Sequence, residues 1–109
     1  MDKTNYVQAF LTCGSWQEAQ AIADTLLDKH LVACVEFIEI KSSYAWKGKK
    51  QSENEIKLIM QTIYSNLETI NDAVTKLHSY EAFVLEAIPL SYINKEAKKW
   101  LESTITKSN

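Results

Sequence analysis

The chain has 109 residues, enough for one two-layer core and too few for two. Hydrophobic residues at 46% and charged residues at 24% fit an ordinary globular protein and argue against disorder or a membrane span. The formal charge is -2 and all 12 basic residues are Lys, which argues against a nucleic-acid or phosphate reader built on arginine's bidentate fork.

The N-terminus lacks the basic start and unbroken apolar run of a secretory leader, so the expected location is cytoplasmic. In that reducing compartment Cys13 and Cys34, 21 residues apart without a C-x-x-C, read as two thiols.

In chain order, Tyr6 to Thr12 is apolar on both alternating faces and predicts a strand covered on both sides. Ser15-Trp16-Gln17-Glu18 is an S-x-x-E capping box. After it Ala19, Ile22, Ala23, Leu26 and Leu27 stripe a helix running to about His30. Leu31 to Trp46 is rich in β-branched and aromatic residues, Lys47-Gly48-Lys49 is a turn, and Gln51 to Thr62 alternates around Ile56, Leu58 and Met60. These predict two long strands in a hairpin.

At about 3.3 Å per residue the first strand would span roughly 50 Å, against a diameter of roughly 34 Å for a compact globule of this size. The hairpin must therefore bend or overhang its own domain. An overhanging ribbon with Tyr44 and Trp46 exposed implies self-association. Ser65 and Glu68 suggest a second capping box, with Leu67, Ile70, Val74 and Leu77 on a second helix ending near His78. Phe83 to Leu90 reads as a last strand, with Pro89 at an edge or end. Tyr92 to Thr104 reads as a closing helix, with Ile93, Ala97, Trp100 and Leu101 on one face.

The order strand, helix, strand, strand, helix, strand, plus a terminal helix, predicts an α+β fold. It is a ferredoxin-like split βαβ sandwich with a long β-hairpin and an extra C-terminal helix, a single domain over 1–109 with a core from about 6 to 105.

Four segments then resemble the CutA family of divalent-cation tolerance proteins: Thr12-Cys13, Leu31-Val32-Ala33-Cys34-Val35, Ser43-Tyr44-Ala45-Trp46-Lys47-Gly48-Lys49 and His78-Ser79-Tyr80-Glu81. The resemblance implies a homotrimer of P-II-like design whose hairpins reach across to neighbouring subunits. It also implies a non-enzymatic role in tolerance to divalent ions, copper above all, with copper or another divalent cation as the candidate cofactor.

The sequence departs from the family pattern at Val84, where an acidic residue is usual, and at Gln61, where Lys is common. Leu11 stands at the position of a cysteine in a recurring metal proposal, and Leu77 at that of one of its histidines. His78 carries over from that set, and a Cys13/His78 pair is the metal candidate, since copper favours thiolate and imidazole.

Aromatics on a projecting hairpin read first as interface anchors. The alternative function is a P-II-like module holding a small molecule between subunits. Its cleft would comprise Tyr44, Trp46, Lys49, Glu55, Gln61, His78, Tyr80 and Glu81. A scaffold for an unidentified protein partner ranks third. Catalysis ranks last, because no nucleophile motif, phosphate loop or catalytic metal motif accompanies His78, Tyr80 and Glu81.

Overall fold

A computed structural model describes residues 5–108; the leader reading falls largely on residues 1–4, outside that range. The elements are β1 (Tyr6–Cys13), α1 (Trp16–Asp28), β2 (Cys34–Trp46), β3 (Lys49–Ile63), α2 (Leu67–Thr75), β4 (Leu85–Pro89) and α3 (Lys95–Thr104), with a 3-10 turn at Tyr64–Asn66 before α2. The strands form one antiparallel sheet in the order β2-β3-β1-β4. This is the split βαβ arrangement expected from the order of elements.

Strand alternation divides the side chains between two faces. Register aligns Val35, Met60, Ala9 and Ala87 in one row and Phe37, Leu58, Leu11 and Leu85 in the next. Against these rows pack Ala19, Ile22, Ala23 and Leu26 of α1 and Ile70 and Val74 of α2, forming the main core. At one end of the opposite face Leu101 of α3 packs on Tyr6 and Ile63. The rest of that face carries Phe10, Ile59, Ile38 and Ile88, the last two about half exposed. Gln61 Oε1, on the same face, is buried without a hydrogen-bond partner among the described residues.

The β2–β3 hairpin overhangs, as its length required: the molecule measures 49 × 26 × 22 Å. Its two-residue turn has positive φ at Lys47 (50°) and Gly48 (79°), the left-handed pair that matches the twist of a tight hairpin. Tyr44 and Trp46 are 37% and 39% exposed near the tip.

Several element ends differ from the sequence expectation. The strand expected from Leu31 begins at Cys34, because the Leu31 carbonyl turns inward to accept from Thr62 Oγ1 (2.7 Å) and Asn66 Nδ2 (3.1 Å). α1 stops at Asp28, and His30 takes a positive φ of 56°. The expected Ser65/Glu68 capping box does not form. Instead the buried Asn66 side chain donates to Leu31 O and Thr106 O and accepts from the Ser108 amide, tying three distant segments together. β4 starts at Leu85 and α3 at Lys95, both later than expected. Phe83 leaves the ladder to stack on His78, centroids 5.1 Å apart.

Candidate functional site

The end of β1, the start of α1 and the turn after α2 converge beside the hairpin. Gly14 follows β1, and a Cβ there would lie 3.0 Å from Tyr80 Oη and 3.1 Å from its Cε1, so any side chain at this position would press on the Tyr80 ring. Ser15 caps α1 as its motif predicts: Ser15 Oγ accepts from the Glu18 amide at 3.1 Å.

Glu18 does more than a capping glutamate. Its Oε1 accepts from the Gly14 amide (3.2 Å), and its Oε2 accepts from the Ser79 amide 61 residues away (2.8 Å). Burial pushes its carboxyl up, but the bonds from Ser79 and Gly14 and the nearby His78 outweigh burial and hold it below its ordinary value.

The His78 side chain is fully buried. Its Nε2 lies 2.8 Å from the Thr12 carbonyl, and a carbonyl can only accept, so Nε2 carries the proton. Nδ1 then holds the lone pair, accepts from the Tyr80 amide at 3.1 Å and faces Glu18 Oε1 at 3.7 Å. Cys13 completes the group: ligand atoms of Cys13, Glu18 and His78 all lie within 4.8 Å of one another.

A one-residue step from Leu11 would turn a strand side chain to the other face; Cys13, two residues on, shares the helix-facing row with Leu11 and thereby reaches His78. Burial, then the charges of Glu18 and Glu55, pushes the Cys13 thiol up to about 12. It is therefore a protonated thiol at neutral pH.

These residues fit a soft or borderline metal ion. An Nδ1 lone pair whose ring donates its other N–H to a backbone carbonyl is the usual support of a ligating histidine, and Cys, His and Glu together suit copper or zinc. The metal would have to displace the Cys13 proton and take the Nδ1 lone pair from the Tyr80 amide, which weakens binding and makes it pH-dependent.

A second feature lies on the other side of Tyr80. A groove of about 820 Å³ runs between the hairpin and the turn, lined among others by Tyr44, Trp46, Glu53, Glu55, Tyr80 and Glu81. Tyr80 Oη donates to Glu55 Oε2 at 2.5 Å, and burial followed by that bond and charge pushes the phenol up. Lys47 Nζ meets Glu81 Oε2 at 3.4 Å at the exposed rim.

Of the cleft residues expected from sequence, Tyr44, Trp46, Glu55, Tyr80 and Glu81 line this groove. Lys49 stands beside it, opposite Trp46 in register. Gln61 shares the sheet face of Glu55 but lies six residues further along β3, level with Cys34 and Gln8 and away from the groove, and His78 is buried behind Tyr80, ring centroids 4.7 Å apart. Sequence reasoning missed Glu18 as more than a cap. The S-x-x-E motif marks Glu18's local role, but its bond to Ser79 leaves no local signature.

The profile of the CutA1 divalent ion tolerance protein family matches residues 7–104. The divalent-cation tolerance protein CutA of Archaeoglobus fulgidus is 35% identical over 96 residues, 88% of this chain and 94% of its own. Human Protein CutA is 34% identical over 94 residues, 85% of this chain; the chain spans about half the human protein, 52% of its length.

Among solved structures, the periplasmic divalent cation tolerance protein CutA from Archaeoglobus fulgidus superposes with a TM-score of 0.90 at 34% identity, covering 93% of this chain and 99% of that one. CutA1 from Oryza sativa gives 0.91 at 27% identity over 95% and 96%. With the family profile spanning nearly the whole chain and a relative 35% identical along its length, this protein belongs to the CutA1 family of divalent ion tolerance proteins.

Proposed function

We propose that the chain works as a non-enzymatic homotrimer in tolerance of divalent metal ions, copper foremost, binding metal weakly through Cys13 Sγ and His78 Nδ1. The observation that carries this reading is the convergence of Cys13, Glu18 and His78 within 4.8 Å, in a chain whose family is described by divalent ion tolerance.

Self-association is supported by the part of the sheet face left without a helix and by the exposed β2 edge of the hairpin. No helix of the described residues is long and apolar enough to cross a membrane. The cytoplasm is the location we favour, since a reducing compartment keeps both thiols free.

The test is calorimetric titration with Cu(I), Cu(II) and Zn(II), comparing the native sequence with Cys13→Ala and His78→Ala. Stoichiometric binding lost in both variants is expected. Binding unchanged in folded Cys13→Ala and His78→Ala would sink the site.

A second reading is favoured by the groove itself: a P-II-like module with a small molecule between subunits around Tyr44, Trp46, Glu55, Tyr80 and Glu81. A cavity of about 820 Å³ lies in the range of small-molecule sites, roughly 300–1,000 Å³.

A further inference from the structure

The groove has a chemical character that the metal reading does not use. Strand register places Trp46 opposite Lys49, Tyr44 opposite Gln51, Ser42 opposite Glu53 and Ile40 opposite Glu55, so alternation carries Ser42, Tyr44, Trp46, Gln51, Glu53 and Glu55 on one face of the hairpin, with Lys49 on that face at the tip but outside the groove wall. Tyr80 and Glu81 close the far side. The lining thus contains three carboxylates, Glu53, Glu55 and Glu81, with three aromatic rings and no Lys, Arg or His.

Glu55 is only 6% exposed. A carboxylate so buried ordinarily has a cationic partner, yet its hydrogen bond comes from the neutral Tyr80 hydroxyl to Oε2, and no cation pairs with it among the described residues. The Lys47–Glu81 contact does not fill this need, because both side chains are more than two-thirds exposed at the rim, 70% and 72%, and such pairs hold weakly.

The geometry points to an organic cation, an amine or quaternary ammonium with an aromatic or aliphatic body, as the ligand of this groove. The inference rests on the small-molecule reading of the same cleft. Ring faces attract a cation, as the exposed Lys47 ammonium 5.5 Å from the Trp46 ring centroid already shows; a bound cation would displace it, the carboxylates neutralise the charge, and the apolar body fills the space beside Trp46. A bare divalent ion keeps its water shell and gains nothing from the rings, and a multiply charged anion meets three carboxylates of its own sign.

The test uses size-matched probes that differ in charge: phenethylamine and phenyltrimethylammonium, 2-phenylethanol, and phenylacetate, set within a fragment panel of mixed charge. Binding is followed at the Trp46 indole N–H by NMR. The two cations should bind at least about tenfold more tightly than the neutral and anionic probes. Glu53→Gln, at an exposed position, should weaken them by about tenfold, and Trp46→Ala should do so more strongly, with metal titration unaffected in both. Neutral or anionic probes binding as tightly as the cations, or Glu53→Gln without effect, overturns the inference and leaves the cleft standing. If no fragment of any charge perturbs Trp46, the small-molecule reading itself falls, and this inference with it.

Discussion

Removing the Glu18 carboxylate should unlock the turn that presents His78. Glu18→Ala deletes a 3.2 Å bond to the Gly14 amide and a 2.8 Å bond to the Ser79 amide. A hydrogen bond to a charged group contributes about 1.5–3 kcal/mol where it is shielded. The Glu18 side chain is 12% exposed while both amides sit at the surface, so about 2–3 kcal/mol for the pair is the reasonable expectation. For a domain of this size, that lowers the melting temperature by roughly 10–15 °C.

Glu18→Gln isolates the charge. Because the folded carboxyl titrates below its ordinary value of 4.5, its unfolded form binds protons first as pH falls. The charge-dependent stability is therefore complete above pH 4.5 and is lost as pH drops through the folded value. Melting curves of the native sequence and Glu18→Gln should be well separated at pH 7 and draw together in acid. Equal melting temperatures at pH 7, or a gap that persists unchanged into acid, would refute the assignment of Glu18 as the clamp between α1 and the His78 turn.

Other outcomes follow from the same geometry. Asn66→Asp places a carboxylate oxygen where Nδ2 now donates to the Leu31 and Thr106 carbonyls, and should cost about 3 kcal/mol or more in urea denaturation, exceeding Asn66→Ala at about 2 kcal/mol. With its thiol pushed up to about 12 and its side chain fully buried, Cys13 should resist iodoacetamide at pH 8 until the protein unfolds, as read by mass mapping; labelling as fast as in denaturant would contradict its placement. The raised thiol also ties folding to pH: its contribution is complete below the unfolded value of 9.0 and is lost as pH rises towards about 12, so Cys13→Ala should flatten the alkaline loss of stability. Metal binding should release about one proton per ion near neutral pH, visible as a dependence of the calorimetric heat on the buffer's ionisation enthalpy.

The regular elements were legible because each is a local pattern. The α1 stripe of Ala19, Ile22, Ala23 and Leu26 and its Ser15 cap follow from spacing alone, and the overhanging hairpin follows from counting residues against a globule's diameter. What escaped was set by contacts between distant segments. Leu31 and Val32 have strand-like side chains, yet Leu31 gives its carbonyl to Thr62 and Asn66. Ser65 and Glu68 match a capping box, yet the buried Asn66 takes the N-cap position of α2 with its side chain turned away to other segments.

The site shows the same division. His78, Tyr80, Tyr44 and Trp46 stood out as residues, whereas Glu18's bond to Ser79 and the nearness of Cys13 to His78, 65 positions apart, arise only when β1, α1 and the turn after α2 are packed together.

The central claim is that a metal ion sits between Cys13 and His78. X-ray absorption at the zinc edge of the zinc-loaded protein tests it most directly. The account predicts one sulfur at about 2.3 Å together with nitrogen and oxygen at about 2.0–2.2 Å, and loss of the sulfur shell in Cys13→Ala. A first shell of nitrogen and oxygen alone in the native protein would contradict it.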